Sequence, residues 1–170
     1  MRAPVAFALP LVAVLTAPAS PVRAGDHKDC PLHKAHMASA GVDQRHQEAT
    51  GLPSDGIEHH FLLSADGGSI RLEVKDGRET AARDRIRAHL EEIARSFSAG
   101  DFSMPARIHD RLPPGVAAMK ARRDAIRYTF SETPNGGTVA IATADAAALA
   151  AVHDFLRFQI VDHGTGDPIQ

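Results

Sequence analysis

The sequence has no tryptophan, a single tyrosine and a single cysteine, and aromatic residues make up only 5% of its 170 positions. One cysteine cannot close a disulfide within the chain, so Cys30 is a free thiol, a link to another molecule or a metal ligand. The fold therefore depends on an apolar core. Apolar residues are 44% of the chain, as in ordinary globular proteins, and the length predicts one domain.

A basic excess is also missing, because 19 Lys and Arg residues face 21 Asp and Glu residues. A weakly acidic chain without a basic block is not typical of nucleic-acid binding, so we expect no nucleic-acid partner. Beyond residue 24, no apolar run approaches the roughly 18 residues that a membrane-spanning helix needs. We therefore expect no stable membrane insertion of the chain that follows residue 24.

The first 24 residues have the three parts of a secretory signal peptide. Arg2 opens the segment, the apolar run Val5–Leu15 follows, and small residues with prolines complete it. Cleavage after Ala19 or after Ala24 fits the small-x-small rule, and Ala24 is preferred because a proline crowds the earlier site. The sequence thus predicts a signal peptide at 1–24 and a periplasmic or secreted protein.

Residues 25–57 form a histidine-rich leader with few large apolar side chains and many Gly, Pro, Ser and Asp residues. Such a segment buries too little surface to offset the entropy lost on ordering. The composition therefore predicts a mobile leader, with a short helix near Lys34–Ala40, ahead of a compact domain at 58–168.

Two segments of the domain, 59–74 and 126–143, alternate apolar and polar residues around a Gly-Gly pair, which is typical of β-hairpins. We expect the glycines at the turns. The residues that share the apolar faces are His59, Phe61, Leu63, Ile70, Leu72 and Val74 in the first hairpin, and Ile126, Tyr128, Phe130, Val139 and Ile141 in the second.

Each hairpin is followed by apolar residues at helical spacing. Asp76 and Glu79 resemble a capping box before the first helix, which Gly100 would end. Asp145 would cap the second helix and Gly164 would end it. The sequence therefore predicts an α+β fold, in which a tandem ββα repeat forms a four-stranded, mainly antiparallel sheet covered by two helices on one face.

A proline-rich connection, 101–124, joins the two units, and Gly115–Arg123 within it predicts a short helix. The two units also match locally, since Phe61-Leu62-Leu63-Ser64 parallels Tyr128-Thr129-Phe130-Ser131. This alignment puts His59 at the position of Ile126. His59 is therefore expected to point toward the helix-covered face, either as a hydrogen-bonded core residue or as a ligand.

The leader carries the densest set of metal-binding side chains, which consists of His27, Cys30, His33, His36 and Met37. A thiolate, imidazoles and a thioether within a few residues suit Cu(I), and also Zn(II). We interpret this set as a metal-capture site, for copper first and zinc second. The alternative is a polar leader whose side chains never converge.

A second set of candidate ligands lies in the domain and consists of His59, His60, Met104, His109 and His163. Either His59 or His60 would converge with Met104, His109 and His163 if the connection 101–124 folds over the edge of the sheet. His89 and His153 flank the apolar stripes of the two predicted helices. Because histidine titrates near physiological pH, a pH-sensing cluster is the alternative interpretation.

Enzyme motifs give little support for catalysis. The chain contains no His-Glu-x-x-His, no Gly-x-Ser-x-Gly and no phosphate-binding glycine loop that opens a helix. We therefore assign no catalytic residue, although a dispersed active site would leave no local signature. Two hypotheses follow. The first is an exported metal-binding protein, with a protein partner in the periplasm as a further candidate. The second is a non-enzymatic binding or scaffold module for a protein or a small ligand.

Three stretches of the chain carry a resemblance to known sequences. HHFLLSADGGSIRLEVKD (59–76), PPGVAAMK (113–120) and AVHDFLRFQIVDHGTGDP (151–168) resemble a family of small, uncharacterised bacterial proteins that are often exported. The resemblance covers most of residues 58–168, and the last stretch is its most specific part. The family has no established activity, so the resemblance implies no catalytic residues, and the leader lies outside the part that matches.

Overall fold

The computed structural model describes the backbone of residues 31–53 and 55–170 and, within these ranges, the side chains from residue 40 onward. The predicted signal peptide at 1–24 therefore lies outside the described residues. The members of the predicted leader site also lie outside them, either wholly or in their side chains: His27, Cys30, His33, His36 and Met37. Metal capture by the leader stays a prediction.

The strands of the described residues form one antiparallel sheet and are β1 (Ile57–Ser64), β2 (Gly67–Val74), β3 (Ile126–Thr133) and β4 (Gly136–Thr143). Their spatial order is β1-β2-β4-β3, so the second strand of each hairpin lies at the centre of the sheet and pairs with its counterpart. The predicted α+β fold with a four-stranded antiparallel sheet is confirmed.

The alternating pattern of the strands produces one buried face and one polar face. Phe61 lies opposite Ile70 in the first hairpin, and Phe130 lies opposite Val139 in the second. These residues point into the core, whereas the residues between them point to the other side of the sheet, as the period of two requires. The apolar faces predicted from the sequence therefore form the floor of the core.

The register changes the alignment of the two units. Gly67 and Gly136 open the second strands, and the turns that precede them are two residues long. His59 therefore corresponds to Tyr128 in the second unit, and the predicted correspondence with Ile126 is wrong. A shift of two residues keeps every apolar residue of a strand on the same face, so the sequence pattern alone cannot detect it.

The helices of the described residues are α1 (Pro31–Thr50), α2 (Thr80–Ser98), α3 (Ser103–Ile108), α4 (Val116–Ala121) and α5 (Ala146–His163). A 3₁₀ turn, Arg123–Ala125, leads from α4 into β3. Helix α4 corresponds to the predicted helix in the connection, whereas α3 was not predicted. Within the described residues, none of the helices combines the length and the apolar character that crossing a membrane requires.

The two long helices differ in how they begin. The Asp145 carboxylate accepts a hydrogen bond from the third backbone N–H of α5 at 2.7 Å, and Gly164 ends the helix with a φ of 64°, as predicted. The predicted capping box of α2 is wrong. Glu79 makes no side-chain cap hydrogen bond, and Asp76 binds the guanidinium group of Arg78 instead.

Each long helix packs across the repeat boundary. Leu90 of α2 lies over Gly137 of the second hairpin, and Leu156 of α5 lies over Gly68 of the first. A Cβ atom at Gly137 would lie 3.1 Å from Leu90 Cδ1, and one at Gly68 would lie 2.4 Å from Leu156 Cδ1. The glycines thus lie within the strands rather than at the turns, and they let the helices approach the sheet. The exchange of helices joins the two ββα units into one core.

Helix α1 packs on α3 and α5. Val42 and the following Leu52 are buried, with 2% and 0% of their surface exposed, and Arg45 Nε donates a hydrogen bond to the carbonyl oxygen of Ile108. These residues belong to the predicted leader, 25–57. Helix α1 is longer than the short helix expected near Lys34–Ala40. The pattern was hard to recognise because the buried positions are sparse.

The close packing of α4 on α5 yields a testable prediction. Gly115 has a φ of 80°, and a Cβ there would lie 2.0 Å from the carbonyl oxygen of Ala151. Gly100 is a matched control, because its φ is 77° but the nearest atom to its Cβ would be 3.4 Å away. We expect both alanine variants to lose roughly 1–2 kcal/mol of stability through left-handed strain, and Gly115→Ala to lose at least about 2 kcal/mol more through the steric clash.

Urea unfolding of both variants measures this difference in the free energy of unfolding. Equal losses for Gly115→Ala and Gly100→Ala would show that the contact between α4 and α5 does not depend on the missing side chain.

Candidate functional site

Five histidines from different parts of the chain meet at one place. They are His46 of α1, His59 of β1, His89 of α2, His109 after α3 and His163 at the end of α5, and we call them the histidine cluster. The ring centroids of His46 and His59 are 4.9 Å apart, those of His59 and His163 are 5.7 Å apart, and those of His46 and His163 are 6.1 Å apart. These three rings therefore form a mutually adjacent trio.

The other two histidines extend the trio on opposite sides. The His109 ring centroid lies 5.1 Å from that of His163, and the His89 ring centroid lies 5.7 Å from that of His46. His46 and His109 are each only 5% exposed, whereas the other three are partly exposed. The cluster is thus mostly buried, and three of its members keep part of their surface exposed.

The cluster borders a cavity of about 50 Å³. Met104 and Gln159 also line it, together with apolar side chains from β1, β2, α2 and α5, such as Phe61 and Phe97. A space of this size holds one or two water molecules or a single metal ion, and it is far too small for an organic cofactor.

Local sequence explains why these side chains point inward. His59 lies two residues before Phe61 on the core face of β1. His89 follows the buried Ile86 by three positions on α2, and His46 follows the buried Val42 by four positions on α1. These spacings put each histidine on the buried face of its own strand or helix.

Burial keeps four imidazoles of the cluster neutral, those of His46, His59, His89 and His163. Loss of hydration and, to a smaller extent, the neighbouring histidines together lower the pKa of His46 to about 4, that of His59 to about 3 and that of His89 to about 4. The same causes lower the pKa of His163 well below its ordinary value. Each of these rings therefore has one unprotonated nitrogen at neutral pH, which is the form that binds metals.

Two buried nitrogen atoms at the cavity have no hydrogen-bond partner: Nε2 of His59 and Nε2 of Gln159. Buried polar groups are nearly always paired, and leaving one unpaired costs about 1–3 kcal/mol. Both atoms belong to side chains that line the same cavity. Unpaired buried atoms reduce the stability of the fold, so their concentration at this cavity indicates a functional site.

His109 differs from the rest of the cluster because both of its ring nitrogens are engaged. Nδ1 lies 2.6 Å from a carboxylate oxygen of Asp162, and Nε2 lies 2.9 Å from the side-chain oxygen of Gln159. Arg111 donates to the other oxygen of Asp162 at 2.8 Å. A network of side chains thus fixes the His109 ring between α3 and α5.

The cluster is not a finished coordination sphere. No group of three His, Cys, Asp or Glu side chains among the described residues is arranged so that it could hold a metal ion as it stands. Rings that share one ion at ~2.0–2.1 Å per metal–nitrogen bond have centroids roughly 5–6 Å apart, which is the spacing of the trio. The rings are therefore close enough to share an ion, but they would have to rotate to aim their nitrogens at one point.

The structure brings together four of the five ligands predicted in the domain. His59, Met104, His109 and His163 all line the cavity. His60 does not, because it points to the opposite side of β1, where its Nδ1 lies 2.9 Å from a carboxylate oxygen of Asp167. Whether any of these residues binds a metal stays a prediction.

Sequence reasoning missed His46 and His89 as members of the cluster. His89 was noted only as a flank of the apolar stripe, although its spacing of three from Ile86 was a usable signal. His46 was assigned to the mobile leader, and no signal in the sequence connects it with β1 or α5. His153, the other flanking residue, lies elsewhere, and its Nε2 is 2.9 Å from the carbonyl oxygen of Ser64 at the first hairpin turn.

Fold and site define an α+β domain with a histidine cluster between its core and helix α1. No family model, curated protein or solved structure shows a match to this chain. The resemblance to exported bacterial proteins therefore stays an expectation, and the function has to be argued from the site.

The lowered pKa values predict that the protein loses stability in mild acid. An unfolded histidine has a pKa of about 6.5, so between pH 6.5 and about 4 the unfolded chain binds protons that the folded cluster excludes. The free energy of unfolding should have its full value above pH 6.5. Below pH 6.5 it should fall by about 1.4 kcal/mol per pH unit for each such histidine.

Urea unfolding at pH 7.5, 6.5 and 5.5 measures this slope. The double variant His46→Gln, His89→Gln should have a smaller slope, because glutamine does not titrate. An unchanged slope in the variant would contradict the assignment of the acid sensitivity to the cluster.

Proposed function

We propose that this protein binds a metal ion at the histidine cluster, with copper as the first candidate and zinc as the second. The observation that carries the proposal is the convergence of five imidazoles from five segments of the chain on one small cavity. In the proposed site the trio His46, His59 and His163 supplies the nearest ligands, while His89 and His109 lie at its two sides.

The physical cost of the arrangement supports a functional role. Apolar side chains of similar size at these positions would pack without unpaired nitrogens and without sensitivity to acid. A metal ion offsets both costs, because it pairs with the nitrogen lone pairs and stabilises the neutral form of each ring. Binding would also require the ring rotations described above, which is compatible with a cluster whose members are held by different elements.

The chemistry of the lining selects the kind of ion. Imidazoles and the thioether of Met104 surround the cavity, and its lining includes no Asp or Glu. Calcium and magnesium prefer oxygen ligands, whereas copper and zinc accept imidazole, and thioether favours Cu(I). The cost of burying an ion rises with the square of its charge, so an uncharged apolar site favours a monovalent ion over a divalent one. These arguments favour Cu(I) and leave Zn(II) second.

The leader ligands belong to the same proposal. His33, His36 and Met37 lie on the same helix as His46, because α1 runs from Pro31 to Thr50. With His27 and Cys30 they would capture the ion that the domain holds. The proposed signal peptide would put both sets of ligands in the periplasm or outside the cell, where a protein partner is the further candidate.

A binding or scaffold module is the second candidate function. The observation that favours it is the sheet face opposite α2 and α5, where Arg71, Thr129 and Ala140 are exposed. A protein partner could pack on this face without involving the cluster. If this candidate is correct, removal of metal will leave partner binding unchanged.

Competition titrations with Cu(I) and Zn(II) test the metal proposal. We expect His59→Gln to weaken binding at least about 100-fold, because the loss of a ligand bond worth about 3 kcal/mol raises the Kd by that factor. His60→Gln is the matched control, since His60 is the next residue on β1 but faces the other side of the sheet. Circular dichroism at pH 7.5 checks that both variants are folded.

A second variant separates the leader from the cluster. Replacing Cys30 with Ser and both His33 and His36 with Gln should leave one ion bound tightly at the cluster. Equal affinities of the wild type, His59→Gln and His60→Gln would overturn the assignment of the site to the cluster.

Met104 yields a prediction about metal selectivity. Leucine has nearly the volume of methionine but no thioether, so Met104→Leu preserves packing while it removes the soft ligand. We expect Cu(I) affinity to fall about tenfold and Zn(II) affinity to stay unchanged, because only Cu(I) prefers a thioether. The same competition titrations measure both affinities. An equal change for the two ions would exclude Met104 as a ligand.

A further inference from the structure

Both ring nitrogens of His109 have side-chain partners, and the ring and its partners are mostly buried. Its side chain is 1% exposed, Asp162 is 14% exposed and Gln159 is 4% exposed. Arg111 binds the second oxygen of Asp162, and its guanidinium carbon lies 4.7 Å from the ring centroid of Phe158. The Asp162 carboxylate is thus held between the His109 ring and the Arg111 guanidinium group.

For a neutral His109 ring, hydrogen-bond accounting identifies the nitrogen that carries the proton. A carboxylate only accepts hydrogen bonds, so Nδ1 of His109 donates to Asp162. In the neutral ring Nε2 then has a lone pair and requires a donor, while Nε2 of Gln159 has no partner. A half-rotation of the Gln159 carboxamide lets its N–H donate to Nε2 of His109 across the 2.9 Å contact, and the amide oxygen then takes the position that has no partner.

We infer that His109 binds the metal ion through Nε2, that Asp162 is the residue that positions it, and that Gln159 covers Nε2 until an ion displaces the carboxamide. This inference rests on the proposed function, and it names the side chains that orient and cover a ligand of the same site. Histidine ligands commonly donate their other N–H to a carboxylate, which orients the ring and makes the coordinating nitrogen more basic.

The position of His109 fits this role. Its ring centroid lies 5.1 Å from that of His163, which is a spacing that two rings on one ion would have. Asp162 also supplies a negative charge beside a cavity whose own lining has none. Because Arg111 pairs with the other oxygen of that carboxylate, Asp162 influences the site through its hydrogen bond to His109 and lies outside the coordination sphere.

The test compares two Asp→Asn variants on helix α5 in the full chain, purified in the form that the cell produces. Asp162→Asn removes the positioning carboxylate, and Asp154→Asn makes the same chemical change at a 61% exposed carboxylate that lies outside the cavity lining. We expect Asp162→Asn to weaken Cu(I) and Zn(II) binding about 10–100-fold and Asp154→Asn to leave binding unchanged. Equal affinities for the two variants would overturn the role of Asp162.

Gln159→Leu tests whether the Gln159 carboxamide covers Nε2 of His109. Leucine fills a similar volume but cannot donate to Nε2, so we expect faster Zn(II) association and several-fold tighter binding. Unchanged or slower association would overturn the displacement of Gln159.

A readout in the metal-free protein keeps this inference separate from the proposed function. Nitrogen-15 NMR of the imidazoles should find the proton of His109 on Nδ1 and an unprotonated Nε2, whose signal shifts when Zn(II) is added. A proton on Nε2 alone would overturn the inference whether or not the protein binds metal. Absence of metal binding by the wild type would instead reject the proposed function, whereas normal binding by Asp162→Asn would reject only the positioning role.

Discussion

The packing of each long helix on the hairpin of the other repeat is the constraint on which the structure depends. Leu90 and Leu156 can reach the sheet only because Gly137 and Gly68 have no side chains. Neither ββα unit can bury its own hairpin under its own helix in this arrangement, so the two units share one core. The order β1-β2-β4-β3 follows from the same exchange, because it places the two glycine-bearing strands side by side at the centre.

The exchange also determines where the site can form. Because α5 crosses back over the first hairpin, its last residue, His163, comes next to His59 near the start of β1. Helix α1, which precedes β1 in the chain, packs beside the end of α5 and brings His46 next to the same two rings. The apolar walls that make the core stable also remove water from these imidazoles and keep them neutral. The stability of the fold and the chemistry of the site are therefore coupled through the same burial.

Particular residues show how far sequence reasoning reached. Alternation in 59–74 and 126–143 predicted the strands and their buried faces, because the period of two is a local property of the chain. The same period concealed the two-residue error that aligned His59 with Ile126. The length and burial of helix α1 were underestimated because its burial depends on partners in α3 and α5. Local composition carries no information about such partners. Four of the five candidate ligands of the domain line one cavity, and the exception is His60, which the period of two places on the side of β1 opposite to His59.

By itself, the sequence determined the fold class, the duplicated ββα order, the caps of α5 and the supply of imidazole and sulfur ligands. These features depend on residues within a few positions of one another. Tertiary structure alone decided which hairpin each helix covers, that α1 belongs to the folded body from residue 40 onward, and that five histidines lie around one cavity. Those outcomes depend on contacts between residues as far apart as His46 and His163, and the free energy of such contacts exists only once the core has formed.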